Sequence, residues 1–382
     1  MTTPSHPWLV FSDDWGRHPS SCQHLIRQLL SRQEVTWVNT IGTRPPRLDW
    51  STAGRVVQKL RSWTTPKKPA PATSAELSPV VLSPKMWPSF QSNFGRRTNR
   101  KLLLKALRPV VEAMPAKPVI ITTLPIVADL VGELPAHRWV YYCVDDFGVW
   151  PGYDGATMRK LEHDLVPKMD VLVAVSETLQ AHLKQWNRPS HLLTHGVDLD
   201  HWTRTDAEVL PEIEALPKPL VVFWGVVDRR MDTGFLQALS EKLSSGTILL
   251  VGPKEDPDPK LFRLKNVVHH APLAFRQLPA LAHAAGVLVM PYADIPATRA
   301  MQPLKLKEYL ATGKPAVVRR LPSTETWADA VDVVDTPEQF ANAVLHRLQS
   351  GLDEAQRVAR TRLSTEGWAE KAMQFERWVV ET

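Results

Sequence analysis

Residues 302–318 read QPLKLKEYLATGKPAVV. Lys305 and Glu308 stand three residues apart, a cation and a carboxylate on one face of what the apolar pattern predicts to be a helix. Pro303 and Leu304 open that helix, because proline suits a first turn whose N–H needs no partner. A helix start favours an anion such as phosphate, and a carboxylate beside it suits a ribose diol. Gly313 and Pro315 stop the helix, and Ala316 to Val318 follow as a buried strand.

A second cluster is Phe223-Trp224-Gly225-Val226-Val227-Asp228-Arg229-Arg230. Gly225 ends a predicted strand and lets a ligand approach the backbone. Arg229 and Arg230 offer planar, forked donors that match a pyrophosphate. Which arginine turns inward stays open, and so does a plain strand-to-helix turn with solvated arginines. Gly252 ends the next strand in the same fashion, before Pro253 and Lys254, where a turn needing Gly and Pro is the alternative. Asp145 and Asp146 close a strand reading YYCVDDF, and one of them could take a proton from a hydroxyl. The alternative there is a helix cap or an ion pair with Arg138 or Arg159. Asp256-Pro257-Asp258 is a D-x-D between prolines and reads as a loop, and no Cys/His spacing suits zinc, so no metal is expected.

These residues need elements to hold them at strand ends. The first half alternates short apolar strands (8–12, 35–38, 80–82, 119–122, 139–143, 171–174) with helices (20–31, 96–113, 126–132, 156–167, 176–186). A second alternation starts at Leu220, with strands at 220–224, 247–251, 267–270, 287–290 and 316–318 and helices at 232–243, 273–285 and 303–312. Continuous apolar strands between helices predict parallel sheets covered on both faces, an α/β chain of two doubly wound, Rossmann-like domains. The expected division is 1–202, a linker at 203–219, 220–365, and a last helix in 366–382 that crosses back to the first domain. Such domains bind ligands at the carboxyl ends of their strands, here in the cleft between the two. The stretch 41–79, rich in Pro, Lys, Arg, Ser and Thr, reads as a long loop with a helix near 54–63.

The length of 382 residues and a hydrophobic share of 43% suit two cores. Cys22 and Cys143 form no disulfide framework and are expected reduced and buried, which points to the cytoplasm. The amino-terminal residues lack a signal-peptide pattern, and no apolar run is long enough to span a bilayer. The net charge is +6, yet residues 51–108 carry twelve Lys or Arg against one acid, Glu76. That surplus attracts anions or anionic lipid, or is a solvated face with no partner. Nucleic acid is not expected, because few aromatics interleave the cations. Trp8, Trp37, Trp139 and Trp224 lie in or near strands and read as core.

The Pro303 to Pro315 block resembles the P-L-K-x-x-E-Y-L-A-x-G-K-P block of GT-B glycosyltransferases that use nucleotide-sugars. The resemblance implies GT-B architecture, a nucleotide-sugar donor, and a ribose held by Glu308. It also implies that Gly225 and the arginines neutralise the leaving diphosphate, with Lys305 and the helix start, and that Gly252 lines the base pocket. Gly196-Val197-Asp198 matches a family landmark in which His195 replaces an asparagine; a polar side chain there could meet the donor, and a structural turn histidine is the alternative. Asp145 and Asp146 would face acceptor and donor sugar, with Trp150 and Tyr153 as an aromatic wall. Gly16 stands where relatives carry a glycine-rich loop near the donor phosphate, and Arg17 and His18 beside it would meet acceptor or phosphate. Retaining relatives carry a second glutamate eight residues before the first, where this chain has Ala300.

The resemblance thus implies a glycosyltransferase, retaining, UDP-sugar-dependent and needing no metal or other cofactor. Its acceptor would be a glycan or lipid-linked hydroxyl in cell-envelope or exopolysaccharide assembly, and the basic 51–108 region would suit a lipid-linked acceptor at the inner membrane face or an anionic glycan. Two alternatives keep the fold: a nucleotide-sugar 2-epimerase, and a non-catalytic nucleotide-binding partner subunit.

Overall fold

The computed structural model describes residues 6–17, 19–40, 77–204 and 208–381. The expected helix near 54–63, the 51–76 half of the basic region and His18 lie outside the described residues.

The first sheet comprises Trp8–Ser12 (β1), Val35–Asn39 (β2), Val80–Leu82 (β3), Val119–Thr122 (β4), Arg138–Cys143 (β5), Val171–Ala174 (β6) and His191–Leu192 (β7), in the spatial order β3-β2-β1-β4-β5-β6-β7. Then follow Leu220–Trp224 (β8), Val227–Asp228 (β9), Thr247–Val251 (β10), Lys254–Glu255 (β11), Val267–His270 (β12), Val287–Met290 (β13), Ala316–Arg319 (β14) and Asp332–Val334 (β15). Six of these make a second sheet, β12-β10-β8-β13-β14-β15, while β9 and β11 pair as a short parallel ribbon. Both sheets repeat the doubly wound order in which the third, second and first strands are followed by the fourth, and the pairs β1–β4 and β8–β13 are parallel. The chain is therefore α/β with two Rossmann-like sheets, as its alternation predicts.

By packing, the chain falls into two compact units. One comprises residues up to 18 with 26–142 and 152–172; the other comprises 19–25, 143–151 and 173–382. In the second unit β8, β10 and β13 are buried on every residue, because helices cover both faces of a parallel sheet. Phe223, Phe235, Leu249, Val289, Tyr309 and Phe340 belong to its core. Trp8, Trp37, Trp139 and Trp224 are all buried, and Cys22 and Cys143 are buried free thiols.

The expected helix at 126–132 is instead a single 3-10 turn, Pro125–Val127, followed by turns that end at Gly132 with φ of 85°. Its residues are buried without an amphipathic split, so packing decides the backbone there. In the stretch 203–219, Pro211–Glu214 makes one helical turn over the buried Ile213. Beyond Thr336 the chain is mostly helical, ending in Trp368–Glu381. Among the described residues, no helix is long and apolar enough to cross a membrane.

Candidate active site

In the second sheet β8 and β13 are neighbours whose continuing segments run to opposite sides, which opens a crevice at their carboxyl ends. Gly225 follows β8 and Tyr292 follows β13, so the topology brings both to this crevice. Gly225 has φ of 135°, and a Cβ there would lie 2.9 Å from Lys305 Cε and 3.0 Å from its Nζ. Gly252, φ 143°, would put a Cβ 2.0 Å from the Gly225 carbonyl oxygen. The Gly225 N–H donates to the Val251 carbonyl at 2.8 Å, which locks the two strand ends together. Gly252 is thus required by the backbone it faces and Gly225 by its φ, and Gly225 leaves the room that Lys305 fills.

The turn after β8 resolves the arginine question. Arg229 is exposed and its Nε donates to Asp256 at 2.9 Å, away from the crevice. Arg230 is 8% exposed. Its Nε donates to both Asp228 oxygens at 3.0 and 2.9 Å, and its Nη2 lies 2.8 Å from Asp228 Oδ2. The guanidinium carbon sits 4.5 Å from the Trp150 ring centre and 5.9 Å from that of Tyr292. Burial works against its charge, yet Tyr292, Asp228 and Asp145 hold its pKa above the ordinary value. Its Nη1 has no hydrogen-bond partner among the described residues.

Tyr292 joins the two cations. Lys305 Nζ donates to the Tyr292 hydroxyl at 2.6 Å and lies 5.2 Å from the Tyr292 ring centre and 5.3 Å from that of Phe223. Lys305 stands in the first turn of the Leu304–Ala311 helix, which Pro303 precedes without side-chain capping. The Tyr309 hydroxyl donates to the Val289 carbonyl at 3.1 Å and pins this helix to β13. One turn in, Glu308 Oε2 accepts from Trp224 Nε1 at 3.1 Å. Trp224 is itself fixed by stacking on Trp202 at 5.3 Å and by an edge contact with Tyr309 at 4.4 Å. Burial raises the Glu308 carboxyl to about 7, against the pull of Trp224 and Lys305. Glu308 Oε1 has no partner among the described residues, an acceptor suited to a diol.

Asp145 packs with this second unit, not with the body of the first sheet. Burial raises its carboxyl to about 7; Arg230 pulls it down and Asp146 pushes it up. Its charge partner is therefore Arg230, not the Arg138 or Arg159 considered from sequence. Asp146 Oδ1 accepts from the Gly148 N–H at 2.9 Å and makes a local turn.

His195 is buried, and its ring lies 6.2 Å from that of Trp368. Burial first, then Lys307 and His24, lowers it to about 3, while the Gln302 backbone, just before the block, favours its protonated form. The Gly196-Val197-Asp198 landmark has a packing reason. A Cβ on Gly196 would lie 2.8 Å from Trp368, Val197 N–H donates to the Glu366 carbonyl at 2.9 Å, and Asp198 caps Leu199–Thr203. Lys307, 3% exposed, donates to the His195 carbonyl and pairs with Glu366 at 2.5 Å.

Arg230, Lys305, Glu308, Gly225, Gly252, Trp150, Asp145, Pro303 and Leu304 thus gather in the second unit, to which His195 also belongs. Gly16, Arg17 and Tyr153 belong to the first unit. There Gly16 has φ of 76° and Arg17 pairs with Asp14 at 3.5 Å on the surface. Asp256 is taken by Arg229, and Asp258 caps Pro259–Arg263. Sequence reasoning missed Asp228, Tyr292 and Lys307. A carboxylate two residues before an arginine was a usable signal for Asp228; nothing local marked Tyr292, whose partners come from distant segments.

Residues 218–350 match the family described as Glycosyl transferases group 1. TuaH of Bacillus subtilis (strain 168), named for teichuronic acid biosynthesis as a glycosyltransferase, is 29% identical over 179 residues, 44% of this chain and 44% of TuaH. The alignment thus spans under half the length of that curated relative. Sucrose-phosphate synthase from Thermosynechococcus elongatus superposes with a TM-score of 0.70 at 15% identity, over 97% of this chain and 98% of that one. Anabaena Alr3699/HepE, solved in complex with UDP and glucose, gives 0.66 at 13%, over 99% and 100%. At these identities the structural likeness is one of fold, and that fold is GT-B.

Proposed function

We propose that this chain, a relative of the group 1 glycosyltransferases with their GT-B fold, transfers a sugar from a UDP-sugar to an acceptor hydroxyl. The observation that carries this reading is the meeting of Arg230, Lys305 and Glu308 at one strand-end crevice, joined through Tyr292 and Trp224. Glu308 Oε1 holds the ribose diol. The bond from the sugar's anomeric carbon to the diphosphate breaks, and its electron pair stays on the phosphate oxygen. Arg230 Nη1, Lys305 Nζ and the uncapped start of the Leu304–Ala311 helix face that charge, so no metal is required. The acceptor oxygen forms the new bond, and Asp145 takes its proton, with a carboxyl raised by burial to suit a base near neutral pH. Trp150, over Arg230, gives the sugar an apolar wall.

HepE, solved with UDP and glucose, supports a UDP donor. The name of TuaH supports a role in cell-envelope or exopolysaccharide synthesis. The acceptor in this reading is a glycan or lipid-linked hydroxyl at the cytoplasmic face of the membrane. Retention of anomeric configuration follows the family resemblance. Ala300, where a retaining relative has a glutamate, favours a second reading: a nucleotide-binding subunit without turnover.

Thermal shift with UDP, GDP, ADP and CMP tests the donor site. A nucleotide at a hundredfold excess over its Kd raises stability by about 2.7 kcal/mol. UDP is expected to shift wild type and Arg229→Ala equally, and Glu308→Ala not at all. No shift with any nucleotide overturns the donor site. A UDP shift without UDP release from UDP-sugars and pooled acceptors moves the reading to the non-catalytic subunit.

A further inference from the structure

The first unit carries a surface that the donor site does not use. Asn93–Glu112 is a helix whose buried residues are Gly95, Asn99, Leu103, Leu107 and Val111. At 100° per residue, Phe94, Arg97, Lys101, Lys105 and Arg108 fall within about 80° on the opposite side. This face has no acid before Glu112. Arg97, Lys101 and Lys105 have no ion-pair partner among the described residues, and Arg108 lies 4.0 Å from Glu133. Beside the stripe is a hollow of about 550 Å³ lined by five cations, Lys160 and Lys168 among them. Its carboxylates Asp129 and Glu133 are already paired with Arg96 and Arg100.

Two aromatic rings stand at the start of the same helix. Trp87 is 47% exposed and Phe94 69%, and their rings meet edge to face at 6.3 Å. The backbone that carries Trp87 is anchored to the helix. The buried Asn99 side chain accepts from the Trp87 N–H at 2.6 Å and donates to the Trp87 and Ser89 carbonyls at 3.1 and 3.2 Å. A Cβ on Gly95 would lie 2.6 Å from the Ser89 carbonyl oxygen, so loop and helix start are in close contact. Exposed aromatics next to a cationic stripe whose Arg97, Lys101 and Lys105 are unpaired among the described residues match the chemistry of one partner, an anionic bilayer, whose interface takes rings and whose headgroups take cations.

We propose that the outer face of Asn93–Glu112, with Trp87 and Phe94 as its apolar wedge, docks this chain on an anionic lipid bilayer. This deepens the membrane-face part of the proposed function and is independent of the donor site. Vesicle flotation of the full chain tests it. Binding to phosphatidylcholine vesicles containing phosphatidylglycerol is expected, with far weaker binding to phosphatidylcholine alone and a loss as salt rises. Neutralising Arg97, Lys101 and Lys105 together to Gln lowers partitioning on the order of a hundredfold, at about fivefold per cation. Trp87→Ser with Phe94→Ser removes the binding that survives in high salt. Wild-type flotation that is indifferent to phosphatidylglycerol and to salt overturns the proposal, as does capture by heparin without flotation. Equal flotation of wild type and the charge variant overturns it too. The UDP shift, measured on the same charge variant, reports the donor site separately.

Discussion

Glu308 is kept where its charge is poorly solvated, and that has a consequence for stability. Its carboxyl is raised from 4.5 to about 7 in the fold. Below about pH 4.5 it is protonated in both folded and unfolded chains, and its favourable contribution is complete. As pH rises through 7 the unfolded chain has already released the proton, and the folded chain loses that contribution. Glu308→Gln removes the penalty. Melting curves are expected to coincide near pH 4.5 and to separate by about 1–3 kcal/mol in favour of the variant by pH 8, allowing for water at the partly exposed carboxyl. A variant less stable than wild type at pH 8 overturns this account of the site. His195 acts in the opposite window: with its pKa lowered to about 3, it weakens the fold as pH falls below 6.5. At this scale the sequence was partly legible. Lys305 and Glu308 declared themselves by type and spacing, since a helix turn sets both. The choice of Arg230 over Arg229 did not, because adjacent residues in a turn differ only in which neighbours, Trp150 and Tyr292, they meet.

The elements show why two glycines stand at the strand ends. Gly252→Ala would drive a Cβ into backbone, 2.0 Å from the Gly225 carbonyl oxygen, at φ of 143°. Gly313, the helix stop, has φ of 71°, and a Cβ there would meet nothing within 4 Å. Chemical denaturation is expected to give a loss of about 3 kcal/mol for Gly252→Ala, from strain and overlap together, and about 1 kcal/mol for Gly313→Ala, from strain alone. Equal losses would mean that the strand ends relax and do not hold the crevice. The Leu304–Ala311 helix was readable from its periodicity, cap and stop, which are local signals. Its deepest polar residue, Lys307, was not, because Glu366 and Thr194, which satisfy it, come from segments far along the chain. The 126–132 stretch misled for the related reason that its first three residues are all buried and leave no periodic face to read.

Across the whole molecule the same strand order occurs twice, and only the second sheet gathers the cations and carboxylates described above. UDP should therefore slow amide exchange near Gly225–Arg230, Gly252 and Tyr292–Glu308, and leave β1 and β4 unchanged. Protection confined to β1 and β4 would move the nucleotide to the first unit. The sequence by itself determined the alternation of strands and helices, the two Rossmann-like sheets and the block that carries Lys305 and Glu308, because propensity, apolar period and helix punctuation act over a few residues. Only the tertiary structure decided that Arg230 faces inward, that Tyr292 joins it to Lys305, that Trp224 orients Glu308, and that Asp145 shares their unit. Those contacts join β8, β13, the 143–151 loop and the Leu304–Ala311 helix, and the distance between such segments is set by how sheets and helices pack, which no local pattern encodes.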